Sequence, residues 1–316
     1  MTTTEAGSDL DRLKNRIHDR SFAILREAHE HSEDVLRRAR SACDRVIGDE
    51  GIDPARLSIV AVGSVGRREA LSASDLDLVP IFSEPGVLSP DQVSRLRDRV
   101  REELGIDVSK GQDLTKECSI GELADLETIG GDHDETNALT RRVLVLTESA
   151  EVAGELGLAT IRRGVLDAYA KHETTSGRHV LSLSNDVARY YRTLCIDYKA
   201  KIDTRDKAWC PRNAKLRHSR KFWYFSTMTA VVAAAIRTDR GAPLESLLTY
   251  FAMPPVQRSC LPSRRWAAPP YPPRRTRSRA TRGFSVSCRR RRTERRWRAS
   301  GTRIATRRRS TTPFPR

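Results

Sequence analysis

Apolar and polar positions divide the chain into a short region of strands and long stretches of helix. Leu57 to Val62, LSIVAV, is an unbroken apolar run rich in β-branched residues and predicts a buried strand. Gly63 and Ser64 end it, and a short basic segment with Gly66, Arg67, Arg68 and Glu69 follows. A second extended run, Leu76 to Phe82, is entered through Ser74, Asp75, Leu76 and Asp77. Upstream, Asp9 to Ile47 carries Leu10, Leu13, Ile17, Ile24, Leu25, Val35 and Leu36 among many charges, which suits one or two amphipathic helices. Downstream, Ser89 and Pro90 read as the N-cap and first position of a helix running through Leu104, with Gly105 as its stop. Ile106-Asp107-Val108 reads as a short third strand, Ser119 to Leu126 as a capped short helix, and Glu135 to Thr147 as a longer one. From Ala150 the pattern turns helical, over Glu151 to Ala170, Gly177 to Asp203 and Pro211 to Arg237. The expected fold class is α/β (α+β), a small mixed sheet with flanking helices followed by a helical bundle. The boundaries that go with it are an N-terminal helical segment over 1–50, a sheet domain over 51–148, a helical domain over 149–253 and a tail over 254–316.

The chemistry concentrates between Gly63 and Asp77. Alternate positions of a strand share a face, so Asp75 and Asp77 project together while Leu76 and Leu78 enter the core. Two crowded carboxylates repel each other unless a cation sits between them, and hard divalent ions take such oxygen ligands, usually shared with substrate phosphates. A glycine after a strand lets backbone N–H groups approach a ligand unobstructed. If Val65 to Ala70 begins a helix, its free N–H groups favour an anion there, and Ser64 adds a hydroxyl donor. The segment therefore offers an anion cradle beside a paired-carboxylate metal site. The bland alternative is a surface hairpin with solvated acids and a turn glycine.

Gly63-Ser64-Val65-Gly66-Arg67-Arg68-Glu69 followed by Ser74-Asp75-Leu76-Asp77 resembles the signature of the polymerase-beta-like nucleotidyltransferase superfamily. It is most similar to the branch containing protein-PII uridylyltransferase and bacterial nucleotidyltransferases of unassigned substrate. The resemblance implies that Asp75 and Asp77 hold the metals, and that Gly63 and Ser64, with Gly66 and Arg67 beside them, hold the triphosphate. It also implies a third carboxylate on a neighbouring strand, metal ligand and general base toward the acceptor hydroxyl. Asp107 matches that position best, with Asp113 as its competitor. The implied cofactor is Mg²⁺ or Mn²⁺, the substrate a nucleoside triphosphate, and the acceptor a protein, a tRNA end or a small molecule. The helices after the sheet domain carry the resemblance on toward Arg237. There Arg192, Arg212, Lys215, Arg220 and Lys221 either line a cleft facing phosphates or solvate helix surfaces. Tyr190 and Tyr191 either stack on a base or pack between helices.

The formal charge of +16 at first points to a nucleic-acid binder, but its distribution changes that picture. Residues 254–316 hold twenty arginines, no lysine and a single acid, Glu294, leaving 37 basic against 40 acidic residues in 1–253. The body is thus near neutral, and the basic character belongs to the tail, which is expected to be disordered. Its arginines would bind nucleic acid nonspecifically, although a tail with no lysine looks more like GC-rich DNA translated out of frame. Six cysteines without CxxC spacing and no signal-peptide pattern suit reduced thiols in the cytoplasm, with no membrane partner. The expected function is metal-dependent transfer of a nucleoside monophosphate with release of pyrophosphate. Two other classes stand beside it, a catalytically inactive nucleotide-sensing module and a nucleic-acid-binding protein acting through the tail.

Overall fold

The computed structural model describes residues 22–108, 116–131, 137–172, 181–204, 209–235 and 242–259. Helix α1 (Ala23–Asp49) buries Val35, Leu36, Ala39, Ala42, Cys43, Val46 and Ile47, spaced to form one apolar stripe. A 3-10 turn (Pro54–Arg56), capped by the Asp53 carboxylate, leads into β1 (Leu57–Val62). Gly63–Gly66 form the single-turn helix α2, and β2 spans Asp77–Phe82. Helix α3 (Pro90–Leu104) has the start and stop expected of it, a reciprocal Ser89/Gln92 capping box and a left-handed Gly105 at its end. Ser119 and Glu122 make a second capping box, joining the two-residue strand β3 (Cys118–Ser119) to α4 (Ile120–Leu123). Helix α5 (Ala138–Thr147) follows, then β4 (Ala150–Ala153).

The sheet has the order β3-β2-β1-β4, with β2 and β4 antiparallel to β1 and β3 parallel to β2. All six residues of β1 are buried because both faces of the sheet are covered, which is why its sequence is continuously apolar. Leu57, Ile59, Ala61, Leu76 and Leu78 pack with α1 and α3, whereas Val60, Val62, Val79 and Ile81 pack with the later helices. That second cluster draws on α5, α6 (Leu158–His172), α7 (Leu181–Thr204), α9 (Lys221–Ala235) and α10 (Ala242–Phe251), while α8 (Trp209–Lys215) and α11 (Pro255–Ser259) complete the helical region. A π-helical turn, Leu216–Arg220, joins α8 to α9 without a break. The mixed α/β class, a small sheet with many helices, is as expected from the sequence.

Three expectations need correction. Residues from Ala150 were expected to be helical, but Ala150–Ala153 form the edge strand β4, so the sheet extends past the boundary placed at 148. The proposed third strand at Ile106 to Val108 is reduced to one parallel bridge, Val108 with Leu76, supported by the Leu76 N–H donating to the Asp107 carbonyl at 3.0 Å. Order does not stop at Met253, since α11 buries Pro255 and Arg258. The remainder of the Arg-rich tail, and Asp113, lie outside the described residues. Among the described residues, no helix is long and apolar enough to cross a membrane.

Candidate functional site

The pairing of Val62 with Asp77 sets the site, because it places the turn after β1 directly beside the start of β2. Gly63 has φ +69°, and a Cβ built on it would come within 2.7 Å of an Asp77 carboxylate oxygen. Glycine is therefore required twice here, for the left-handed backbone and for the space that the Asp77 carboxylate fills. Gly66 serves another purpose than the phosphate cradle expected of it. A side chain there would overlap the carbonyl oxygens of Glu148 and Ala61, so Gly66 lets α2 close against the sheet, and it does not line the cavity described next.

A cavity of about 1470 Å³ opens in front of this turn, and Ser64, Arg67, Glu69, Asp75 and Asp77 line one wall. The turn from Leu71 to Ser74 is held by the Leu71 N–H donating to Ser74 Oγ and the Ser74 N–H donating to the Leu71 carbonyl, at 3.0 and 2.8 Å. Asp75 follows that turn directly. Leu76 and Leu78 are fully buried between and after the two acids, so both carboxylates fall on the cavity side, as the alternation predicted. Across the cavity stand Lys215, Arg217, His218, Ser219, Arg220 and Lys221, from the end of α8, the π-helical turn and the start of α9. Phe222 and Phe225 on α9, with Leu25 and Leu71, add exposed apolar surface to the lining.

Asp107 is not brought into this cavity. Its side chain is 73% exposed and pairs with Arg101 at 3.3 Å, because only a single bridge, rather than a strand, holds its backbone beside Leu76. Arg67 lines the cavity but is 4% exposed, and its guanidinium is held by Glu69 at 3.0 Å and by Glu148. Of the basic candidates from the helical region, Lys215, Arg220 and Lys221 reach the cavity, whereas Arg192 and Arg212 do not line it. Tyr190 packs edge-on to Trp223 at 5.2 Å and Tyr191 stacks on Tyr224 at 4.6 Å, the packing role rather than base stacking.

Sequence reasoning missed Glu148, Arg217, His218 and the phenylalanines. Glu148 has no exposed side-chain surface and accepts from both Arg67 and Arg220, the latter at 2.7 Å. Burial pushes its carboxyl up, but the two guanidiniums outweigh burial and hold it below the usual value of 4.5. Burial and the neighbouring Glu148 charge raise the Tyr190 hydroxyl well above 10, so it stays protonated and hydrogen-bonds to that carboxylate. Glu148 directly follows α5, whose last carbonyls are satisfied by buried cations: Arg162 donates to Val145, and Arg258 donates to Thr147.

Among the described residues, no group of three or more His, Cys, Asp or Glu is placed to hold a metal ion. The acidic wall offers two carboxylates beside a serine hydroxyl, a donor set that suits Mg²⁺ completed by water and phosphate oxygens rather than an all-protein cage. No curated protein and no solved structure matches the chain. Residues 6–111, which include α1, β1, the Gly63 turn, β2 and α3, match the family model Putative nucleotidyltransferase DUF294, and this acid-bearing part of the molecule is nucleotidyltransferase-like.

Proposed function

We propose that the protein transfers a nucleoside monophosphate from a triphosphate to an acceptor, with Mg²⁺ or Mn²⁺ held by Asp75 and Asp77. The observation that carries this reading is the shared cavity, an acidic pair and Ser64 on one wall and a dense cationic turn on the other. A triphosphate needs both, since its oxygens bind a divalent cation and are matched by Lys and Arg donors. The chemistry supplied by a cation bound there is neutralisation of charge on the transferring phosphoryl group. Ser64 donates to a phosphate oxygen, and Lys215, Arg217 and Lys221 orient the polyphosphate. Phe222 and Phe225 offer faces to a base. The cavity exceeds the about 300–1,000 Å³ that suits one small ligand, leaving room for an acceptor group beside the nucleotide. Asp107 has no part in this reading, and its general-base role passes to no other residue here. Kinship to the uridylyltransferase branch, and the cytoplasm as compartment, belong to the same proposal.

Incubation of the full chain and cell extract with each α-labelled triphosphate and Mg²⁺ tests it, with pyrophosphate release followed in parallel. Labelled acceptor and pyrophosphate are expected for the wild type. Asp77→Asn is expected to abolish both while keeping the thermal midpoint, because removing one charge from an acidic pair relieves repulsion in the metal-free protein. Full transfer by Asp77→Asn would remove the metal assignment. Triphosphate binding without pyrophosphate release would favour a sensing module.

A further inference from the structure

The two walls of the cavity are joined beneath it by buried charge. Glu148 receives Arg67 from the turn after α2 and Arg220 from the π-helical turn. Glu69 repeats the connection, receiving Arg67 at 3.0 Å and the Ser219 hydroxyl at 2.6 Å. Gly66 closes α2 onto the Glu148 carbonyl, so the backbone of Glu148 is fixed against the motif as well as its side chain. The π-helical turn is a local irregularity of the kind that recurs at functional sites. Here it sits where Ser219 and Arg220 meet the carboxylates while Lys215 and Lys221 line the cavity.

We propose that Glu148 is a positioning residue that couples the motif turn to the π-helical turn and so sets where the cations stand across from Asp75 and Asp77. The inference rests on the nucleotidyl-transfer reading and adds a residue to it. Glu148 does not line the cavity, so it acts through Arg67 and Arg220, which do. Neutralising it leaves Arg67 and Arg220 with surplus charge in a buried place, and Arg220 loses its anchor. The cationic wall then shifts or loosens, while the two aspartates keep their place on the sheet.

The test is calorimetric titration of the full chain with each of the four Mg-triphosphates, set beside Mn²⁺ binding read by electron paramagnetic resonance. Glu148→Gln is expected to weaken triphosphate binding by ~10–100-fold, the loss that goes with one charge-assisted hydrogen bond to phosphate. Its Mn²⁺ affinity is expected to stay within about twofold, because the acidic pair belongs to another element. Tyr190→Phe removes only the hydroxyl that meets Glu148 and keeps the ring against Trp223, so about 2–10-fold weaker triphosphate binding is expected. Should Glu148→Gln fail to fold, Tyr190→Phe decides alone. Unchanged triphosphate affinity in the folded variants overturns the inference and leaves the proposed function standing. Equal losses of Mn²⁺ and triphosphate affinity overturn it too, by placing the effect on the acidic pair. A wild-type chain that binds none of the four triphosphates overturns both.

Discussion

Glu148 and Asp186 are both fully buried carboxylates, each met by two arginines and a tyrosine hydroxyl. Glu148 has Arg67, Arg220 and Tyr190, and Asp186 has Arg142, Arg189 and Tyr169. Their surroundings differ in what they connect. Arg142 also donates to the Leu123 carbonyl at 2.7 Å and lies over the Tyr169 ring at 5.6 Å, so the Asp186 group ties α5, α6 and α7 to the end of α4. None of its members lines the cavity, whereas Arg67 and Arg220 both do. A buried ion pair by itself therefore says only that elements are held in register. The role proposed for Glu148 rests on its arginines lining the cavity from two separate segments of the chain.

The largest effects expected test that distinction. Asp186→Asn and Glu148→Gln should each lower stability by about 3–5 kcal/mol, since removing one partner of a buried pair leaves the other charge uncompensated. Urea unfolding followed by circular dichroism measures this. The variants should part on ligand binding, with Asp186→Asn keeping wild-type triphosphate affinity in its folded fraction. A comparable loss of affinity in Asp186→Asn would break the comparison, because any loosening of the helical region would then suffice.

A smaller effect is expected where buried cations have carbonyl rather than carboxylate partners. Arg258 donates to the Thr227 hydroxyl at 2.8 Å, to the Met253 carbonyl at 3.0 Å and to the Thr147 carbonyl. Truncation after Met253 removes it and strips the end of α5 of a capping charge, so a loss of about 1.5–3 kcal/mol is expected, the worth of a charge-assisted hydrogen bond. Truncation after Ser259 keeps Arg258 and should leave the thermal midpoint unchanged. Equal midpoints for the two truncations would show that Arg258 is dispensable and that the boundary expected at Met253 was sound.

These contrasts also show what the sequence made legible. β1, β2 and α3 could be read almost to the residue because their signals are local: a β-branched run, an alternation, and a Ser-Pro start with a Gly stop. β4 could not, since Ala150-Glu151-Val152-Ala153 is short, poor in β formers and held by pairing with β1. The spacing of Asp75, Asp77 and Ser64 anticipated that they share one cavity. Asp107 was misplaced because its role depended on a strand that shrinks to one bridge. Arg67 was legible as a motif residue but not as an internal one, because its partner Glu148 lies 81 positions away. Glu148 is a lone acid at a helix end, and nothing local marks it. Arg220 looked like its neighbours Lys215 and Lys221, and only tertiary contact shows that it is anchored on Glu148 as well as lining the cavity.

The smallest effect expected is on acid stability, and its sign follows from the direction of the Glu148 shift. The folded-state value lies below the usual 4.5, because Arg67 and Arg220 together outweigh the burial that would raise it. Between the folded and unfolded values the unfolded chain binds more protons, so stability rises with pH there. The contribution is complete above about pH 4.5 and is lost as pH falls through the folded value. Arg220 moves the other way: burial lowers it, but Glu148 and the nearby tyrosines more than reverse that. Its share is present at neutral and acid pH and disappears only in strong alkali, so the acid limb is the diagnostic one. Thermal midpoints measured from about pH 7 down to about pH 3 should fall more steeply for the wild type than for Glu148→Gln. Other carboxylates titrate in both proteins, and the difference between the two curves isolates this one. The slopes should differ by no more than one proton, the most a single carboxyl takes up on unfolding. Parallel curves would mean that Glu148 is not held ionised by its arginines, and the link beneath the cavity would then be packing alone.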